Sequence, residues 1–148
     1  MELAASDGVE AVSEMLALAT DTMWRYLINR DEFSASAALV LNRLSHEGPM
    51  RVTALAAAEG ASQSGMTQLV QRLERQGLLE RSSDPEDGRA SRVMLSENGR
   101  QNWDARTDGR NQRIAEWMAR VPEDDRVALW LAAKVVVRVL GEMREAGP

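Results

Sequence analysis

VTALAAAEGASQSGMTQLVQRLERQGLLERSSDPEDGRASRVMLSENGR, residues 52–100, organises the chain. It reads as a short helix, a tight turn, a second helix, a two-stranded ribbon and the start of a third helix. Ala54-Leu55-Ala56 supplies the apolar side of the first helix, and Gly60 lets the chain turn without a Cβ penalty. Ser62 stands just before the next apolar-periodic run, where its hydroxyl can cap the free N–H groups of a new helix. In that run Met66, Leu69, Val70 and Leu73 recur at steps of three and four and share an inward stripe. Gln63, Ser64, Thr67, Gln68, Gln71, Arg72 and Arg75 occupy the other face, with side chains suited to base edges and phosphates. Gly77 stops the helix. Two helices joined by a glycine-containing turn, the second polar on its outer face, form the helix-turn-helix pattern.

The segment after Gly77 narrows the reading. Leu78 to Arg81 and Ser91 to Leu95 are short strand-like runs, and SSDPEDGRA between them is dense in turn formers. A hairpin with a long tip directly after a recognition helix is a wing. Arg89 at its tip suits a narrow, electronegative minor groove, and Asp87 would hold the loop or orient an arginine. Here the chain resembles the MarR-type winged-helix transcriptional regulators. The motifs are RLERQGLLER at 72–81, DPEDGR at 84–89 and LSENGR at 95–100, and the resemblance is dense over residues 34–100. It implies a mainly α fold with a small β wing, a homodimer, and contact with double-stranded DNA through Ser62, Gln63, Ser64, Thr67, Gln68, Gln71, Arg72, Arg75, Asp87 and Arg89. The chain departs from the pattern at Ser82-Ser83 and Gly88, where family members often carry basic residues. Those departures remove phosphate contacts and support an alternative reading, a winged helix kept only for protein interaction. Salt-dependent retention on duplex DNA separates the two, because phosphate contacts release counterions.

Charge distribution refines this. The formal net charge is −5, and residues 1–33 account for all of it, with seven acids against two arginines. Residues 34–61, 62–100 and 101–148 each balance, two against two, six against six and eight against eight. DNA binding therefore depends on where arginines project rather than on long-range attraction. The length of 148 residues fits one domain, and the absence of cysteine excludes disulfides, thiolate metal sites and thiol oxidation. No run has the length of a membrane span, and the acidic N-terminus lacks an apolar signal core, so a soluble, cytoplasmic protein is expected. With one histidine, no cysteine and no glycine-rich phosphate loop, no catalytic constellation, metal or cofactor is expected, and the protein reads as a non-enzyme. His46 falls at a helix end, where meeting terminal carbonyls is the plainer role.

The flanking segments read as helices. Val9, Val12, Leu16, Ala19, Met23 and Leu27 form one stripe over residues 8–30, widened by Trp24, Tyr26 and Ile28. Ser34 caps a helix to about His46 that carries Ala38, Leu41 and Leu44 inward, and Gly48-Pro49 ends it. Met50-Arg51-Val52 then reads as an added strand on the wing. Residues 96–120 read as a long polar linking helix bearing Trp103, and Pro122 breaks the chain before the acidic helix start at Glu123-Asp124-Asp125. In the last helix the stretch VALWLAAKVVVRVL, 127–140, is apolar except for Lys134 and Arg138, so residues 1–33 and 121–148 are expected to be dimerisation helices sharing one core between two chains. The resemblance also implies a small aromatic or phenolic effector in the crevice between this module and the winged domain. Trp24, Leu27, Ala38, Leu41 and Trp103 are placed to line it.

Overall fold

The computed structural model describes residues 5–27, 33–87 and 90–146. Helix α1 spans Ala5–Thr22 and runs into a five-residue π-helical turn, Met23–Leu27. Then follow α2 (Ala35–Glu47), α3 (Val52–Ala58), α4 (Gln63–Arg75), β1 (Leu79–Ser83), β2 (Ser91–Leu95), α5 (Glu97–Met118) and α6 (Glu123–Ala146). The chain forms two compact units, residues 1–110 and 111–148, with the boundary inside α5.

Local chemistry sets the ends of the elements. Ser34 accepts from the Ala37 N–H at the start of α2, and Ser62 accepts from the Gly65 N–H at the start of α4. Gly77, at φ 70°, follows the end of α4 and turns the chain into the wing. Ser96 caps α5 by accepting from the Gly99 N–H at 2.9 Å, while its hydroxyl donates to the Gly77 carbonyl at 2.6 Å. Position 99 admits only glycine, for a steric reason: a Cβ there would lie 1.9 Å from the Leu78 carbonyl oxygen. The first turn of α5 is thereby seated on the entry to the wing.

One core closes the winged part of the first unit. Val40, Leu41, Leu44, Leu55, Met66, Val70, Leu73, Leu78, Leu79, Val93, Leu95 and Trp103 are buried together, so α2, α3, α4, both strands and the first turns of α5 share one interior. The strands pair antiparallel with Leu79 opposite Leu95 and Ser83 opposite Ser91.

Four details differ from the sequence reading. Met50 pairs with Val93 through a single bridge, but Val52 opens α3 instead of extending a strand. The seven-residue helix needs Val52 as its first turn, and two apolar residues beside a proline are too few to show which period applies. Ala54 is exposed, leaving Leu55 and Ala56 as the buried side of α3. Ser82 and Ser83 extend β1 rather than opening the turn, since the ladder continues to Ser91. Finally, the π-helical turn interrupts the stripe expected over residues 8–30: Leu27 is buried, whereas Val9, Val12 and Leu16 are exposed. Residues 28–30, at the end of that expected helix, lie outside the described residues.

Candidate nucleic-acid interface

Helix α4 bears the polar face that the sequence reading assigns to DNA. Met66, Val70 and Leu73 are buried, and Leu69 packs partly against them. One hundred degrees per residue then turns Ser64, Gln68, Gln71 and Arg75 to the opposite side, where all four are exposed. Gln63 and Thr67 flank this face on one side, and Gly65 and Arg72 on the other. Two side chains are tied to their own helix: the Thr67 hydroxyl donates to the Gln63 carbonyl at 2.8 Å, and Arg75 Nε donates to the Gln71 carbonyl at 3.3 Å. Ser62 has its hydroxyl on the cap, and a Cβ at position 65 would meet that hydroxyl at 3.0 Å. A side chain at position 65 would thus crowd the cap hydroxyl, set against the roughly 1 kcal/mol that glycine costs a helix against alanine. An open groove of about 570 Å³ runs beside this face, with Ser36 and Leu39 of α2 on one wall and Gly65, Leu69, Arg72 and Arg75 on the other.

The wing is anchored to α4 and α3 by charge. Arg81 on β1 pairs with Glu74 of α4 at 2.7 Å and donates to the Ser91 hydroxyl at 2.9 Å. Behind the tip, Asp84 is 2% exposed and is the one buried charged group among the described residues. Arg51 Nε donates to its Oδ2, the Glu86 N–H donates to its Oδ1 at 3.0 Å, and Arg92 Nη2 lies 3.0 Å from the same Oδ1. The hydrogen bond from Arg51 first, and the Glu86 N–H next, hold this carboxyl well below the usual carboxylate range. The same bond raises the Arg51 guanidinium. Asp87 is exposed, and its carbonyl accepts from the Ala90 N–H at 2.9 Å. Arg89 lies outside the described residues.

Sequence reasoning missed Arg51, Asp84 and Arg92. Asp84 read as a turn former from the Asp-Pro step, and nothing local marks the two arginines as its partners. The residues expected to line an effector crevice are placed as follows. Ala38, Leu41 and Trp103 belong to the shared core, with Trp103 9% exposed. The Arg106 guanidinium lies over the Trp103 ring at 5.8 Å and over Phe33 at 5.3 Å. Leu27 is buried at the end of the π-helical turn, and Trp24 falls within that turn.

Comparison with known proteins identifies the chain's relatives. The MarR family model matches residues 33–91, the span from Phe33 to the first residue of β2. An uncharacterised HTH-type transcriptional regulator of Mycobacterium bovis is 31% identical over 109 residues, which cover 74% of this chain and 76% of that protein. Among solved structures, a MarR family protein from Bacillus stearothermophilus superposes with a TM-score of 0.76 at 19% identity, covering 94% of this chain and 99% of that one. A mutant of S. aureus MepR bound to an oligodeoxyribonucleotide superposes with a TM-score of 0.58 at 17% identity, covering 94% and 99%. The fold, with its mostly helical body and small antiparallel sheet, is that of these winged-helix proteins. A helix-turn-helix with an exposed polar recognition face, a wing anchored on both sides and a matching family model lead to one conclusion: the chain belongs to the MarR family of DNA-binding transcriptional regulators, which are not enzymes.

Proposed function

We propose that this regulator is a cytoplasmic homodimeric repressor. Each subunit places α4 in a major groove of a near-palindromic operator and its wing tip, with Arg89, in the flanking minor groove. The observation that carries this reading is the outer face of α4, where Gln68, Gln71, Arg72 and Arg75 stand exposed opposite a buried apolar stripe. Residues 34–100 make the DNA-binding domain, 96–120 link it, and 1–33 and 121–148 dimerise. Large apolar side chains exposed on α1 and α6 support the dimer. Half-sites then lie about one helical turn apart. The bound oligodeoxyribonucleotide of the MepR mutant supports the same use of this fold. Among the described residues no helix is long and apolar enough to cross a membrane, in keeping with the proposed location.

Within α4, Gln63, Ser64, Thr67 and Gln68 near the N-terminus read bases, while Arg72 and Arg75 further along anchor the backbone. Asp87 orders the wing loop. A small aromatic or phenolic effector releases the operator by entering between Trp24, Leu27, Ala38, Leu41 and Trp103. Such a flat ligand would have to displace the Arg106 guanidinium from the Trp103 ring, over which it lies at 5.8 Å.

The test is selection of bound duplexes from a random pool, repeated with two variants. Gln68→Ala is expected to relax preference at one base pair at a cost of about 1–3 kcal/mol, and Arg72→Ala to weaken all sites alike and flatten the salt slope. The reverse pattern would reverse the assigned orientation of α4, and failure to retain any duplex at low salt would sink the reading. Phenolic compounds added to the same assay, with tryptophan fluorescence followed in parallel, test release. A compound that quenches fluorescence yet leaves operator affinity unchanged would count against the effector site.

A further inference from the structure

The two arginines beside the Met50–Val93 bridge are arranged in a way that repulsion alone would forbid. Met50 and Val93 exchange both backbone hydrogen bonds, at 3.0 and 2.8 Å. Continuing that antiparallel register by one residue sets Arg51 opposite Arg92. Like charges directly opposite each other across a ladder are destabilising. Here both guanidinium groups turn to a single carboxylate, that of Asp84, whose side chain has no exposed area, while those of Arg51 and Arg92 are 43% and 27% exposed. A buried charge is tolerated only where donors surround it. Asp84 has three: Arg51 from the N-cap position of α3, Arg92 from β2, and the N–H of Glu86 from the wing loop. Its own N–H donates to the Ala90 carbonyl at 3.2 Å, closing the loop one step beyond the last strand pair, Ser83 and Ser91. The Glu86 carboxylate, 3.7 Å from Arg92, adds a weaker contact on the solvent side.

We infer that Asp84, with Arg51 and Arg92, is a positioning device for DNA binding. It fixes the loop that carries Arg89 to the start of α3, so that wing and recognition helix meet the duplex as one piece. The inference rests on the proposed role of the wing tip. It adds that the wing's contribution to affinity is set by three residues that need not touch DNA. The ladder alone leaves the loop free to swing about its last pair, and every contact at the tip would then carry the entropy of ordering that loop. The clamp orders the loop before DNA arrives. It also uses the charge of Arg51 and Arg92 internally, which leaves the tip arginine as the wing's cation for the groove. A wing with serines at 82 and 83 and glycine at 88 has few other phosphate contacts, so loss of loop order is felt strongly.

A double-mutant cycle tests this. Affinity for a labelled duplex, recovered by selection with the unmodified protein, is measured for the full chain, Asp84→Asn, Arg89→Ala and the double variant, together with thermal melting. Asp84→Asn and Arg89→Ala are each expected to weaken binding roughly ten-fold. The double variant should fall short of the product of the two losses by about three-fold or more, because the clamp acts through the tip. Arg51→Lys, which keeps a cation on Asp84, should retain more affinity than Arg51→Met. Losses that multiply in full, with melting unchanged, would overturn the inference while leaving the wing reading intact. An Arg89→Ala protein that binds as well as the parent would overturn the wing reading itself. Should Asp84→Asn fail to fold, Arg92→Gln leaves Asp84 with two donors and completes the same cycle.

Discussion

Residues 35–103 and the helices α1 and α6 use apolar side chains in opposite ways. In the winged part, Val40, Leu55, Val70 and Val93 are fully buried, and their neighbours close around them within one chain. On α1 and α6, Val9 and Val137 are about 70% exposed, and Val12, Leu18, Val127, Leu129, Trp130, Leu131, Val135 and Met143 are exposed as well. Both regions are rich in valine and leucine, so composition does not separate them. The difference lies in partners. The winged elements come in mutually facing sets, a helix stripe against a helix stripe and a strand face against both. The apolar residues of α6 are spread around the helix, with Lys134 lying over the Trp130 ring at 4.1 Å as one polar interruption. Large apolar side chains left exposed along a helix in that number fit a surface made to be covered. The winged part is self-sufficient in its core, and the apolar side chains left exposed on α1 and α6 are the surface that the proposed dimer would cover.

Removing the exposed apolar surface of α6 should disturb the protein most. Deleting residues 127–148 should leave a chain that aggregates or unfolds, read by sedimentation and circular dichroism. A soluble, folded monomer would show that the terminal helices are dispensable to the winged core and would place the dimer contact elsewhere. A smaller effect is expected inside the closed core. Gly99→Ala puts a Cβ into the Leu78 carbonyl, a backbone atom that cannot swing away. The cost should be about 1–3 kcal/mol in denaturant unfolding, with the dimer retained at high concentration. Unchanged stability would mean that α5 and the wing are loosely joined. The smallest effect concerns acid. The folded-state carboxyl of Asp84 titrates below its unfolded value, so its contribution is fully present above the unfolded pKa and is lost as pH falls through the folded one. Wing order, followed by hydrogen exchange at the Glu86 amide, should therefore not respond to this group between pH 8 and pH 5. Its loss should begin only below about pH 4. A transition near neutrality would assign control of the wing to another group.

Legibility in the sequence followed the distance over which each feature is determined. The capping of α2 by Ser34 and of α4 by Ser62, the turn at Gly77 and the buried stripe of α4 are set within a few residues, and all were readable. The strand limits were less so, because Ser82 and Ser83 have turn-forming chemistry and are extended only through pairing with β2. Val52 was read into a strand because two or three residues cannot display a period. The Asp84 clamp was invisible. Its arginine partners lie 33 residues before it and 8 residues after it; the hairpin pairing brings in Arg92, and the Met50–Val93 bridge brings in Arg51. The outer face of α4, by contrast, needed only helical geometry, which is why the candidate reading residues were available before any contact was known.

The π-helical turn at Met23–Leu27 carries a consequence for how α1 presents itself. Val9 and Leu27 are eighteen residues apart, which is five turns of an uninterrupted α-helix, so they would lie on one line. A wider turn takes in extra residue without extra rotation, and one residue is worth about 100° of phase. The π turn therefore acts as a phase shifter between two stretches of the same rod, uncoupling the azimuth of the N-terminal stripe from that of the buried end. Which surface α1 would offer to a second chain in the proposed dimer is thus written in the helical winding of five residues as much as in the identity of the eighteen before them.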